Sequence, residues 1–135
     1  MNLNDLIIGE DYSNDELMSA FKCGKSGGMR RSHATNTLLI VFDHNKMYDD
    51  AWKGDVLHYT GMGRHGDQDI NYMQNKTLNE SATNGVDLHL FEVFDEGRYI
   101  YQGIVELAGE PYQEIQPDAS GTDRKVWMFP LRRKN

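Results

Sequence analysis

Apolar residues in this chain fall into short runs separated by polar and glycine-rich punctuation. Leu38-Leu39-Ile40-Val41-Phe42 is apolar at every position and partly β-branched, which predicts a strand buried on both faces. Ser13-Asn14-Asp15-Glu16 has a capping-box pattern, and Leu17, Met18 and Phe21 supply the buried side of a short helix after it. Gly24-Lys25-Ser26-Gly27-Gly28 then interrupts regular structure. A second strand is expected over 55–60, closed by Gly61-Met62-Gly63. Residues 71–81 have helical spacing in Tyr72 and Leu78. Strands are expected over 86–94 and 98–107, across the turn Asp95-Glu96-Gly97, and a last one over 125–131.

The sum is about five or six strands and two short helices. The expected fold class is α+β, a curved, mostly antiparallel sheet closing into a β-barrel with the helices flanking it. The last three strands have no helix between them, which argues against an alternating parallel α/β fold. At 135 residues the chain fits a single domain over 1–135, with a core large enough to need no staple. The lone Cys23 makes no internal disulfide and anchors no thiolate metal site, which favours a reducing cytoplasm. No basic segment followed by a long apolar stretch opens the chain, and the apolar run 37–42 is far too short to cross a bilayer.

The net charge of −7 opposes nucleic-acid binding. Clustering offsets it. Lys22, Lys25, Arg30, Arg31 and His33 form one basic group, and Arg64, His65 and Lys76 suggest a second. Most acids lie elsewhere, between Glu92 and Asp118 or near the start. The tail Arg132-Arg133-Lys134 reads as a solvated end.

Catalytic signatures are weak. The five histidines fall in no His-x-x-x-His or His-Glu-x-x-His frame, and there is no Gly-x-Ser-x-Gly elbow. Cys23-Gly24-Lys25-Ser26 lacks the upstream glycine of a phosphate loop and follows a helix rather than a strand. Asp49 and Asp50 could hold Mg²⁺, but no third acid at nuclease spacing supports them. No catalytic residue, metal or cofactor is expected.

The informative stretch is Tyr48-Asp49-Asp50, then Gly54, then Tyr59-Thr60-Gly61-Met62-Gly63. It resembles the core of the SRA (SET- and RING-associated) domain, a member of the PUA superfamily. Asn75-Lys76-Thr77-Leu78 resembles a helix start of that family, residues 126–133 its final strand, and Gly28-Met29-Arg30-Arg31 its DNA-touching segment. The order holds over residues 27–133. The stretch is also similar to the amino-terminal readers of bacterial HNH-type restriction endonucleases that cut modified DNA. Three departures stand out: Tyr48 to Gly54 is one residue short, Ser32 replaces a proline, and the loop before the last strand is reduced.

The resemblance implies a non-catalytic reader of double-stranded DNA carrying 5-methylcytosine or 5-hydroxymethylcytosine. Such a reader acts by base flipping and serves a modification-dependent restriction system with an HNH nuclease domain in cis or in trans. Chemistry fits that role. A flipped base needs flat faces and a polar group to identify its edge. Tyr48 and Tyr59 would supply the faces, Asp50 would accept from the cytosine amino group, and Asp49, Thr60 and Gly61 would complete the pocket. Lys25, Arg30, Arg31, Arg64, His65, Asn75 and Lys76 would hold phosphates or fill the gap. Without the resemblance, Tyr59 reads as core and Asp49 and Asp50 as turn residues. The alternatives are a PUA-like module binding RNA or a small ligand, and a metal-dependent nuclease using Asp49 and Asp50.

Overall fold

A computed structural model describes residues 1–46 and 48–134. Its strands are β1 (Asp11–Tyr12), β2 (Met29–Ser32), β3 (Thr37–Asp43), β4 (Ala51–Lys53), β5 (Val56–Thr60), β6 (Asp87–Val93), β7 (Tyr99–Leu107), β8 (Tyr112–Pro117) and β9 (Asp123–Arg133). The helices are α1 (Asn14–Phe21) and α2 (Gln74–Asn79), with a 3-10 turn at Leu3–Asp5. One sheet runs β2-β3-β6-β7-β9-β5-β4, with β1 on β7 and β8 on β9. All ladders are antiparallel except β3 with β6.

β3 is buried on both faces, as its unbroken apolar run predicts. Leu38, Ile40 and Phe42 point into one cluster with Leu57, Tyr59, Leu88, Leu90, Phe129 and Leu131. Leu39 and Val41 point into the other, with Phe91, Val93 and Tyr101. Period-two alternation divides one strand between two cores. β6 alternates likewise, Leu88 and Leu90 into the first cluster and Phe91 and Val93 into the second, and its ladder with β7 shifts register between Leu90 and Phe91.

Helix α1 starts as its capping box predicts: the Ser13 side chain accepts from the Glu16 amide, and the Glu16 carboxylate accepts from the Ser13 amide. It lays Leu17, Ala20 and Phe21 on the second cluster, outside the roll. Helix α2 instead contributes Leu78 to the first cluster, inside the curve, which corrects the expectation that both helices flank the sheet externally.

The sheet rolls far enough for strands remote in the pairing order to touch. The Tyr59 hydroxyl, on β5, lies 3.0 Å from the Gly28 carbonyl oxygen and 2.9 Å from that of Val41, at the β2–β3 end. Trp52, on β4, donates its indole N–H to Glu92 of β6 at 3.0 Å. No ladder joins β2 to β4 among the described residues, so these side chains, not a hydrogen-bonded seam, bridge the gap. Among the described residues no helix is long and apolar enough to cross a membrane.

His89 lies in β6 with 6 % exposure, its Nδ1 2.8 Å from the Tyr101 hydroxyl. Burial pushes its pKa down to about 4, so it is neutral in the fold.

The Tyr59 bridge needs the bare backbone of Gly28: a Cβ there would lie 2.8 Å from the Tyr59 hydroxyl oxygen. Gly28→Ala is expected to cost about 1–3 kcal/mol and Tyr59→Phe about 1 kcal/mol. Phe at 59 removes the atom that clashes, so the double variant should be more stable than the sum of the two losses, by about 1 kcal/mol. Urea unfolding of the four proteins checks this, and strict additivity would contradict the bridge.

Candidate nucleic-acid interface

The β4–β5 hairpin, turning at Gly54-Asp55, pairs Ala51 with His58. It thereby brings residues 48–50 across the end of β5. The Asp50 Oδ1 accepts the Thr60 amide at 2.6 Å. Its Oδ2 accepts no hydrogen bond among the described residues. Burial pushes the Asp50 pKa up to about 6, against the lowering effect of the Thr60 hydroxyl and amide; Asp49 raises it further and His44 lowers it. A carboxylate that resists ionising, with one oxygen unspent, is prepared to accept from an N–H donor.

Tyr48 is half-buried and donates its hydroxyl to the Gly63 carbonyl at 3.1 Å. Asp49 is exposed, and its amide donates to Gln116 Oε1 at 3.2 Å. Thr60 is buried: its hydroxyl accepts from Gln116 Nε2 at 3.2 Å and faces the Met128 sulfur at 3.5 Å. Tyr59 is 4 % exposed, and burial holds its phenol well above the usual range, so it stays neutral. Its ring belongs to the first core cluster, as the bland sequence reading has it. Tyr48, Asp50 and Tyr59 do share one neighbourhood, since Asp50 and Tyr48 both act on the Tyr59 phenol. Tyr59, at 4 % exposure, presents no open face, and Tyr48 is held against Gly63 by its hydroxyl.

Gly61 is small for a reason other than base approach. A Cβ there would lie 2.8 Å from the Asn75 amide oxygen and 3.1 Å from the Phe129 ring. Asn75 itself is fully buried: its Oδ1 accepts the Met62 amide at 2.6 Å, and its Nδ2 donates to the Met62 and Asp69 carbonyls at 3.0 Å each. It orders the exit from β5 and offers DNA nothing in this state, a correction to its expected contact role.

Arg30 needs the same correction. It is 6 % exposed and donates to the Gly27 carbonyl at 2.9 Å, to Asn14 Oδ1 at 2.6 Å and to the Tyr99 hydroxyl at 3.3 Å. The guanidinium also stacks over Tyr99, 5.5 Å from the ring centre. It fastens the 27–30 segment to α1. Arg31 is partly exposed and clasps its own hairpin through the Ser32 and Thr37 carbonyls and Asn36. Lys25, Arg64, His65 and Lys76 are exposed. Arg64 and His65 ride on the turn next to Gly63, and α2 packs beside β2, which puts Lys76 and Arg31 on neighbouring elements.

Three supporting residues escape sequence reasoning. Gln116 holds both Asp49 and Thr60. Gln68 donates to the Gly61 carbonyl at 2.7 Å and the Gly63 carbonyl at 3.2 Å, while its Oε1 accepts the Trp127 amide at 2.9 Å. Arg124 donates Nη1 to the Gly63 and Gly66 carbonyls at 2.8 Å each. A polar residue inside a polar-looking segment carries no hydropathy signal that it is buried. On the far flank His44 is sandwiched between Phe42 and Phe94, at 4.0 and 4.1 Å between ring centres, and bonds Glu92 at 2.8 Å. Among the described residues no three His, Cys, Asp or Glu side chains group to hold a metal.

A rolled sheet with a half-buried carboxylate at its rim is the scaffold on which known proteins can be compared. A family profile described as "ScoMcrA-like, SRA domain" matches residues 8–134, and the chain belongs to that family. The fold is similar to a structure of the sulfur-binding and SRA domains of ScoMcrA complexed with phosphorothioated DNA. There the TM-score is 0.78 at 18 % identity, over 95 % of this chain and 40 % of that one. It is also similar to the type IV phosphorothioation-dependent restriction endonuclease ScoMcrA, with TM-score 0.77 at 19 % identity over 95 % and 28 % of the two chains. The SRA domain of SUVH5 in complex with fully methylated CG DNA gives TM-score 0.73 at 22 % identity over 98 % and 92 %. The chain thus spans less than half of the ScoMcrA chains it matches, and at these identities the likeness is one of fold. No curated protein matches the sequence.

Two buried groups make opposite demands as pH changes. His89 has a folded pKa of about 4, below the ordinary histidine value of 6.5, so its stabilisation is full above 6.5 and fades as pH falls toward 4. Asp50 has a folded pKa of about 6, above the ordinary aspartate value of 3.8, so its stabilisation is full below 3.8 and is lost as pH rises through 6. Each amounts to about 3 kcal/mol at most, and across this window they offset one another. Asp50→Asn is expected to be more stable than the parent above pH 6, with the gain vanishing near pH 4. His89→Leu, compared with the parent, should gain relative stability as pH falls. Urea midpoints at pH 7, 5 and 4 check both; parallel profiles for all three proteins would contradict the assignments.

Proposed function

We propose that this chain is a reader of DNA containing 5-methylcytosine or 5-hydroxymethylcytosine, which it recognises by flipping the modified base out of the duplex. It acts as one module over residues 1–135 and performs no chemistry itself. It serves a modification-dependent restriction system in the cytoplasm, with an HNH nuclease domain in cis or in trans supplying cleavage. In this reading the rolled sheet works as a barrel whose seam is bridged by Tyr59 and Trp52.

The observation that carries the reading is the unspent oxygen of Asp50, at the end of the strand where the SRA resemblance puts the base pocket. A cytosine amino group is the matching donor. The sulfur-binding and SRA domains of ScoMcrA form a complex with phosphorothioated DNA, and the SRA domain of SUVH5 with methylated or hydroxymethylated CG DNA. A base that stacks on Tyr48 displaces its hydroxyl from Gly63. That step breaks one neutral hydrogen bond, at a net cost of about 1 kcal/mol. Stacking on the freed Tyr48 ring returns about 1–3 kcal/mol, which offsets much of the unstacking cost of a few kcal/mol. Buried Tyr59 then forms the floor. Phosphates fall to Arg64, His65, Lys76, Lys25 and Arg31, the cations that remain accessible.

Titration of matched duplexes differing only at one cytosine tests this. The modified duplex should bind more tightly, and Asp50→Ala should abolish the difference. Tyr48→Ala should weaken binding of the modified duplex by about 1–3 kcal/mol. The preference should also shrink as pH drops below about 6 and Asp50 takes up a proton. Equal affinity for both duplexes, or a preference for RNA, would reject the reading.

A further inference from the structure

Arg124 opens β9 and is 4 % exposed, yet only one of its nitrogens is bonded. Nε and Nη2 are buried without an acceptor among the described residues. No ion pair reaches it there either. The adjoining acids are committed to backbone amides. Asp67 takes the Lys125 amide at 2.8 Å; Asp118 takes those of Ser120 at 2.9 Å, Thr122 at 3.0 Å and Gly66 at 3.3 Å. A guanidinium cannot relieve burial by losing its proton, as a lysine or histidine can. Native folds seldom leave such a group unsatisfied, and those that do call for an explanation.

We propose that Arg124 is an anion site, whose ligand is a phosphodiester of the DNA strand carrying the extrahelical base. The free edge, Nε–H beside Nη2–H, presents two parallel donors, the spacing that fits two oxygens of one phosphate. Position ties it to the reading site. The Gly63 carbonyl that accepts from Arg124 also accepts from the Tyr48 hydroxyl, so a base that displaces Tyr48 disturbs the same anchor. Arg124 Nη1 holds the turn Gly63–Gly66, whose tip carries exposed Arg64 and His65. Glycines at both ends, with φ of 126° and 68°, give that turn conformations that other residues rarely adopt. Arg124 is thus a third cation at the same turn as two that face solvent.

The proposal rests on the DNA-reading function, and its test separates the two. The Arg124 Nε–H resonance of the full chain, assigned by its loss in Arg124→Lys, is followed by NMR during titration with inorganic phosphate and then with duplex. Arg124→Gln, which keeps a donor for Gly63, is compared with the parent for DNA affinity over a salt series. The resonance should move with phosphate and with duplex. Arg124→Gln should weaken modified and unmodified duplexes alike, about tenfold, and lower the salt slope by about 1. A resonance that ignores both ligands, with an unchanged salt slope, overturns the proposal and leaves a buried water as the partner. Movement with phosphate alone overturns DNA as the source. If the parent binds both duplexes equally, the base-reading function fails while the Arg124 result still stands.

Discussion

The hydrogen bond from the Thr60 amide to Asp50 holds the site together. It pins the segment after β3 onto the end of β5, and it draws a carboxylate into surroundings that resist its charge. The other polar side chains follow from it. Gln116 steadies Asp49 and the Thr60 hydroxyl, Asn75 and Gln68 hold the backbone that leaves β5, and Arg124 ties down the next turn. Removing any one would leave buried donors or acceptors unpaired, which costs more than a typical hydrogen bond gives. The rim is thus rigid in its backbone, and Tyr48, held by one neutral bond, is its most easily moved part.

Stability and recognition pull against each other here. Charged Asp50 weakens the fold at neutral pH, and Arg124 is a buried cation without a counterion among the described residues. A chain selected for stability alone would replace both. The core compensates: β3 and β6 are buried on both faces, and His89 stays neutral between aromatic rings. Unfavourable polar burial gathers around the β5 exit, where the family resemblance puts ligand contact.

Much of this was legible from pattern alone. The capping box at Ser13 and the unbroken apolar run of β3 each give one physical reading, and the structure agrees. Strands β2 and β8 were hidden for a common reason. Each buries a polar residue, Arg30 in one and Gln116 in the other, whose partners lie far away in sequence, so hydropathy reads both segments as solvated. The parallel pairing of β3 with β6 spans more than forty intervening residues and leaves no local trace. Spacing alone read Asp49 and Asp50 as turn residues before the strand. It could not reveal that the Tyr59 hydroxyl is spent on the carbonyls of Gly28 and Val41, or that Asn75 and Arg30 face inward. Those facts depend on how the sheet rolls, a long-range property.

The central claim is that Asp50 identifies a cytosine outside its helix. A crystal structure of the chain bound to a duplex with one 5-methylcytosine tests it most directly. The account predicts that base extrahelical, its amino nitrogen within hydrogen-bond distance of Asp50 Oδ2 and its ring on Tyr48, which has left Gly63. A fully stacked duplex, or DNA lying on another face with Tyr48 still bonded to Gly63, would contradict it.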